Sequence, residues 1–536
     1  MSGQNILPGE GCMTQRKDYI YCIISVIAGI IIFAMFGINK RVTFCDEIYT
    51  YMITNSTNGA YSFADAQWYT RDEVRDVLAH TANDSVWQMI WNVKGDPHPP
   101  LYYGFIYIAS VISGGSLSVW VALSVNAVMY IASIILFWLT VYELFKKPVT
   151  AMAATMVYSL NAGIIGDAML LRMYMQFTFF VIAFAYFTLR LYRNKDALRY
   201  YIILGIITAC GFLTQYYFCF IAIIFFAVWC IYNLVKKKYS RILKYLAGMI
   251  GAVAVDTIIW RYWISTMLNN TNSDIIKENA LNFSNIFVSL YKGIMTVQLV
   301  IFQKWYAAGM VFTVIVVLAA LLSKRAAERY PGIRLYVGTL ALGVYLYAAI
   351  VYYLTPSYLM SGRYFYAAAA LELLLIAVCV CALAQTYMSE YKAGKIGMAV
   401  LGAGFMALDI LIFVFGYGID YYPDADEYDG QKKVLEQYAD IPWILCGDEN
   451  WQMSANYYDY TIPNIIMRIT DNSECRKDEV LENAERFLVI APTDENDWGV
   501  DTALYYYIGC TGRFVGGSEV LMKRNGLTYY IAYAEK

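Results

Sequence analysis

A run of about 20 predominantly apolar residues is long enough for an α-helix to cross the hydrocarbon of a bilayer. Residues 19–37 (YIYCIISVIAGIIIFAMFG) meet that requirement unaided. Further apolar runs lie at 119–144, 149–166, 174–191, 200–216, 218–235, 245–264, 306–322, 335–354, 364–385 and 397–416, so the sequence predicts roughly eleven spans. Composition agrees: 59% of residues are hydrophobic and 15% charged, where an ordinary soluble domain carries about a quarter charged residues. Arg16 and Lys17 precede the first run, which is too long for a secretory h-region and lacks a small-x-small exit. It is expected to stay as a first helix.

The polar links between these runs divide by charge. Lys146 with Lys147, Arg190 to Arg199, Lys236 to Lys244, Lys324 to Arg334, and Lys392 with Lys395 all fall on one side, which the positive-inside rule makes cytoplasmic. The N-terminus (1–18) then lies inside and residues 19–417 form the membrane domain. Four polar segments (38–118, 167–173, 265–305 and 355–363) and the C-terminus face outward. The short apolar stretch 101–113 ends at the breaker Ser113-Gly-Gly-Ser116, and counting it as a span would invert every later loop. It is expected to lie in the outer interface, with a second interfacial helix over 72–93. Residues 418–536 hold 22 Asp plus Glu against 10 Lys plus Arg, too polar to span. The runs 441–446 (IPWILC), 486–491 (RFLVIA) and 527–533 (LTYYIAY), with a helical stretch at 430–438, predict a small α/β outer domain.

Some functions are disfavoured by composition. A net charge of −2 without a clustered basic face argues against a nucleic-acid partner. The eleven cysteines show no CxxC or Cys/His spacing of a metal site. Cys446, Cys475 and Cys510 fall in the polar tail, where a disulfide could form but spacing does not set the pairing.

Four outward segments carry residues suited to chemistry. Asp46 and Glu47 follow the first helix, where one carboxylate could serve as general base toward a hydroxyl while the other holds the acceptor or a nearby cation; a solvated helix terminus is the bland alternative. Lys94-Gly-Asp-Pro-His98-Pro-Pro-Leu-Tyr-Tyr103 stiffens the approach to a helix and would fix His98 at headgroup level, or is simply a structural turn. In the turn Asp167 to Tyr174, Arg172 could clamp a phosphate with its planar fork and Tyr174 could add a donor. Arg363 and Tyr364 in Ser361-Gly-Arg-Tyr364 could do likewise, although arginines at such boundaries also snorkel.

The DE pair, HPPLYY, R-M-Y and S-G-R-Y, in that order over about residues 15–385, resemble the GT-C superfamily of membrane glycosyltransferases, within it the protein O-mannosyltransferase and aminoarabinose transferase branch. The resemblance implies a polytopic helical bundle that takes sugar from a polyprenyl-phosphate carrier, with no cofactor and no metal. The acceptor would be a glycan, lipid or protein, and the setting a bacterial plasma membrane. It implies Asp46 as the catalytic acid position with Glu47 beside it, and His98, Arg172, Tyr174 and Arg363 near the donor phosphate. Lys94, Tyr103, Asp167 and Tyr364 are further substrate-binding candidates. A carrier or flippase of lipid-linked sugars is the competing expectation; such a transporter favours repeats and midplane sites, whereas these motifs gather at one surface.

Overall fold

In a computed structural model of the chain, the described residues are 10–41, 43–56, 63–193, 197–269, 286–355, 360–388, 425–447, 456–470, 472–493 and 498–535. The chain opens with α1 (Glu10–Asn39) and α2 (Cys45–Asn55). Strand β1 (Trp68–Thr70), α3 (Arg71–Asp76), α4 (Val86–Lys94) and α5 (Leu101–Ile112) lead to α6 (Val119–Phe145). A helical series follows: α7 (Pro148–Leu160), α8 (Ala162–Met169), α9 (Tyr174–Arg193), α10 (Leu198–Phe212), α11 (Phe218–Val235), α12 (Tyr239–Ile259) and α13 (Trp263–Asn269). It continues with α14 (Ile286–Phe302), α15 (Tyr306–Leu322), α16 (Lys324–Arg329), α17 (Ile333–Leu354) and α18 (Tyr366–Tyr387). The remainder is α19 (Ala425–Glu436), β2 (Trp443–Cys446), β3 (Ile465–Ile469), α20 (Glu479–Asn483), β4 (Arg486–Pro492), α21 (Trp498–Thr511), β5 (Val515–Arg524) and β6 (Leu527–Ala534).

These elements form two compact units: residues 1–37, 96–102 and 123–420 in the first, and 38–95, 103–122 and 421–536 in the second. The first is a helical bundle. Among the described residues, eight helices are long and apolar enough to cross a membrane, or nine with one bent pair, and the protein is an integral membrane protein. In hydrocarbon a helix satisfies its own backbone, which is why the apolar runs become helices.

Two expected spans differ, and a third cannot be compared. The run 149–166 is the bent pair α7 and α8, broken by 59°. The break has a cause: Asn161 is extended, its side-chain oxygen accepts the Gly163 N–H (3.1 Å) and its Nδ2 donates to the Ile301 carbonyl (3.0 Å), so the freed backbone groups are capped. The run 200–216 is the 15-residue α10, and 397–416 lies outside the described residues. The segment 265–305, expected to be polar and outward, contains the apolar helix α14. It ends where Gln303 adopts φ +52°, a conformation that interrupts a right-handed helix. The α14 helix packs on α17, where a Cβ at Gly293 would stand 2.5 Å from the Ala348 carbonyl oxygen. Its Gln298 bonds Glu372 of α18, which also accepts from Tyr345 Oη (3.4 Å). Both bonds serve Oε1 of a carboxyl group that is costly to hold inside a membrane.

The second unit is built on a six-stranded sheet of order β1-β3-β2-β4-β6-β5. Strand β2 runs parallel to β3 and β4, and the other pairings are antiparallel. Ile444, Met467, Phe487, Val489 and Tyr507 bury one core against α21. Strands β2, β4 and β6 and helix α19 stand close to where the sequence predicts them; β3, β5 and α21 are additional. The sheet also takes β1 from the first inter-helix segment, Trp68 pairing with Met467 and Thr70 with Ile465. The helix expected over 72–93 is two helices: the Thr81 N–H bonds the Asp84 carboxylate (2.6 Å) in a turn, and Ser85 caps α4. α4 buries Met89 and Val93 while exposing Trp87 and Trp91, and α5, at 12 residues, is too short to span.

The crossing of α10 and α12 in the bundle is set by two glycines. A Cβ at Gly205 or at Gly248 would stand 2.9 Å from the backbone carbonyl oxygen of Gly248 or Tyr201, respectively, the close approach that small residues permit between membrane helices. Gly248→Leu should therefore destabilise the bundle by about 1–3 kcal/mol, lowering the melting temperature and monodisperse yield in detergent. Gly251→Ala, which faces open space, should leave both unchanged.

Candidate active site

In the helical unit the site begins with a proline-stiffened turn. Asp96 Oδ1 accepts both the backbone N–H of His98 (2.9 Å) and its ring Nδ1 (2.7 Å). This double bond over two residues is an Asx-type turn, which orients the ring without help from a distant element. A contact this short to a carboxylate puts the ring proton on Nδ1 and leaves Nε2 as the other available ring atom. Arg172 Nη2 lies 3.2 Å from the same Nδ1, so Asp96 faces the Arg172 guanidinium as well as the imidazole. Burial pushes the Asp96 carboxyl up, but His98 and Arg172 outweigh it and hold the group below the usual carboxylate range. The sign follows: its contribution to stability is full above the ordinary Asp pKa of about 3.9 and is lost only as pH falls through the lower folded value.

Asn126 of α6 ties this turn to Arg172. Tyr102 Oη donates to Asn126 Oδ1 (3.2 Å), and Asn126 Nδ2 donates to the carbonyls of Ala168 (3.1 Å) and Leu170 (2.7 Å). The Arg172 N–H then closes onto Leu170 O at 2.8 Å. One buried amide thus fixes both the helix that follows His98 and the turn that carries Arg172. Neither Asp96 nor Asn126 is among the residues singled out from sequence, though Asp96 stands two residues before His98.

Four aromatic side chains gather beside Arg363. Tyr364, in the 3-10 turn Gly362–Phe365, meets Tyr174 edge to face at 5.9 Å and Tyr217 at 6.3 Å, while Tyr366 lies 6.5 Å from Tyr174. The Arg363 guanidinium sits 5.4 Å over Tyr364. Asp167 is fully buried on α8 and accepts from Thr178 Oγ1 at 2.6 Å, a helix-to-helix tie.

In the sheet-bearing unit, Asp46 and Glu47 occupy the first turn of α2, where the helix dipole favours negative charge. Their environments separate them. Lys40 Nζ reaches both Glu47 oxygens (2.9 and 3.2 Å) with both side chains fully buried, and the Phe44 N–H donates to Oε2 at 2.7 Å. Glu47 is thereby a scaffold for the helix start. Asp46 is half-buried, with Cys45 Sγ 3.7 Å from Oδ1. Tyr103 is buried, and Lys94 is exposed with its ammonium 4.5 Å over Trp91. Among the described residues no three His, Cys, Asp or Glu side chains are grouped so as to hold a metal ion.

Removing one member of a buried ion pair leaves the other uncompensated. Lys40→Met should cost about 3–5 kcal/mol, seen as a lower melting temperature of the purified protein, and adding Glu47→Leu should recover much of that loss. A melting temperature unaffected by Lys40→Met would contradict the scaffold role.

Residues 97–263 match the sequence profile of a family described as dolichyl-phosphate-mannose-protein mannosyltransferase, a stretch that includes His98, Asn126, Arg172 and Tyr174. No curated protein matches the sequence. Over nearly its whole length the chain is similar in structure to ArnT from Cupriavidus metallidurans. Against the apo crystal structure the identity is 10%, the TM-score 0.55, and the match covers 95% of this chain and 97% of that one. Against the form bound to undecaprenyl phosphate the identity is 10%, the TM-score 0.53, and coverage 96% and 98%. The Archaeoglobus fulgidus oligosaccharyltransferase crystallised with Zn and sulfate gives 12% identity, a TM-score of 0.47 and coverage of 95% and 72%. The chain therefore has the GT-C membrane glycosyltransferase fold that its motifs resemble, and its segment 97–263 carries the profile of the dolichyl-phosphate-mannose-protein mannosyltransferase family.

Proposed function

We propose that this protein transfers a sugar from a polyprenyl-phosphate carrier to an acceptor hydroxyl on the outer face of a bacterial plasma membrane. The observation that carries the reading is the group of half-buried Asp96 and His98 with buried Arg172, at the start of and within the segment that matches the mannosyltransferase profile. The undecaprenyl phosphate bound by the structurally similar ArnT supports a carrier of that class.

Each group has a role in this scheme. The acceptor oxygen attacks the anomeric carbon, Asp46 takes its proton, and the bond from that carbon to the carrier phosphate breaks. The departing phosphate gains negative charge. Arg172 donates to it, and His98 donates through Nε2 in its imidazolium form; because that charge peaks as the bond breaks, they stabilise the transition state more than the bound donor. Arg363 adds a second guanidinium, and the tyrosines around Tyr364 offer flat faces and hydroxyls to a sugar ring. Asp96 fixes the orientation of the His98 ring and counters the local positive charge.

The direct test supplies purified protein with a panel of polyprenyl-phosphate sugars and measures released carrier and product by mass spectrometry. Asp46→Asn should abolish transfer with folding intact; full turnover would remove it from the base role. Asp96→Asn should slow transfer by roughly 10- to 100-fold, the scale for carboxylates that orient a working histidine. Arg172→Lys should stay impaired because it keeps the charge and loses the fork. For orientation, single cysteines in the 236–244 loop should resist impermeant labelling in intact cells, while those in the C-terminal region should react; the reverse pattern would overturn the outward placement.

A further inference from the structure

Beyond residue 421 the sheet-bearing unit holds three cysteines: Cys446 in β2, Cys475 between β3 and α20, and Cys510 near the end of α21. Cys475 is exposed and the other two are buried. On α21, positions 506, 509 and 510 share a face by their i, i+3, i+4 spacing. Cys475 lies on that face. Its Sγ–H donates to the Tyr506 carbonyl at 3.9 Å, and a Cβ built on Gly509 would stand 2.6 Å from its sulfur and 3.1 Å from its own Cβ. Only glycine at 509 leaves room for this approach. From the other side, the Cys510 thiol meets the Arg476 backbone, one residue from Cys475, and the Cys475 thiol itself. Both sulfurs therefore occupy one contact. Cys446 belongs to the core beneath α21.

We propose that Cys475 and Cys510 are a built disulfide site, closed by exchange with a small-molecule disulfide. The exposed Cys475 thiolate attacks one sulfur of the oxidant, whose S–S bond breaks and releases one thiol, leaving a mixed disulfide on Cys475. The Cys510 thiolate then attacks Cys475 Sγ, and the second oxidant thiol departs. Two protein thiols lose two electrons and two protons, and the oxidant becomes two thiols. The bridge fastens the 472–478 connection to α21. That connection also holds the β1 region, through Ser473 Oγ to Asp65 (2.6 Å) and Trp68 Nε1 to Asp478 (2.8 Å), so closure would secure the docking of β1. Access of an extracellular oxidant rests on the outward placement proposed above; the pairing does not.

The test treats the purified full-length protein with oxidised glutathione, blocks remaining thiols, and maps unreduced peptides by mass spectrometry. A peptide joining Cys475 to Cys510 is expected, retained in Cys446→Ser and lost in Cys475→Ser and in Cys510→Ser. Full alkylation of both thiols after oxidation, or a bridge to Cys446, overturns the proposal. The same treatment of intact cells separates the two ideas, because oxidised glutathione does not cross the membrane. A bridge in the purified protein that is missing from cells supports the pair and contradicts the outward placement.

Discussion

The carboxylate of Asp96 is the constraint on which the donor-side arrangement depends. The Arg172 guanidinium approaches the His98 ring to 3.2 Å, and a cation held away from water needs a counter-ion at hand. Asp96 supplies it, and because the same oxygen takes both the His98 backbone and ring, charge balance and ring orientation come from one group. A site arranged before its ligand arrives spends no binding energy on ordering these donors as charge builds on a leaving phosphate.

Around this group the fold is rigid for ordinary packing reasons. Asn126 replaces backbone partners that the end of α8 lacks, and burial makes each such bond expensive to lose. The break at Asn161 lets α8 leave the line of α7 with the Gly163 N–H capped. In the other unit, Lys40 and Glu47 do comparable work: a fully buried pair plus the Phe44 N–H fixes where α2 begins, and hence how Asp46 is presented.

Much of this was legible in the sequence, and what escaped did so for identifiable reasons. Apolar runs give spans because hydrocarbon leaves the backbone no other partner, and the HPP and R-M-Y strings stand out because prolines and arginines are conspicuous at apolar borders. Asn161 reads as one polar residue in an apolar run; that it breaks the helix depends on Ile301, which is remote in sequence. Helix α14 was hidden because its segment was judged by the polar residues before it. Strand β1 has three residues, too few to show a period, and its partner β3 lies some four hundred positions away. Adjacent acids look equivalent in sequence, and only Lys40 tells Glu47 from Asp46. Asp96 was in plain view, two residues before His98, and an Asx-turn reading of Asp-Pro-His would have found it.

The most direct measurement is binding of undecaprenyl phosphate, without sugar or acceptor, to the detergent-solubilised protein by native mass spectrometry. The parent protein should retain the lipid phosphate, and His98→Ala and Arg172→Ala should lose it while keeping the parental melting temperature. Equal retention by the parent and both variants would contradict the assignment of these residues to the carrier phosphate.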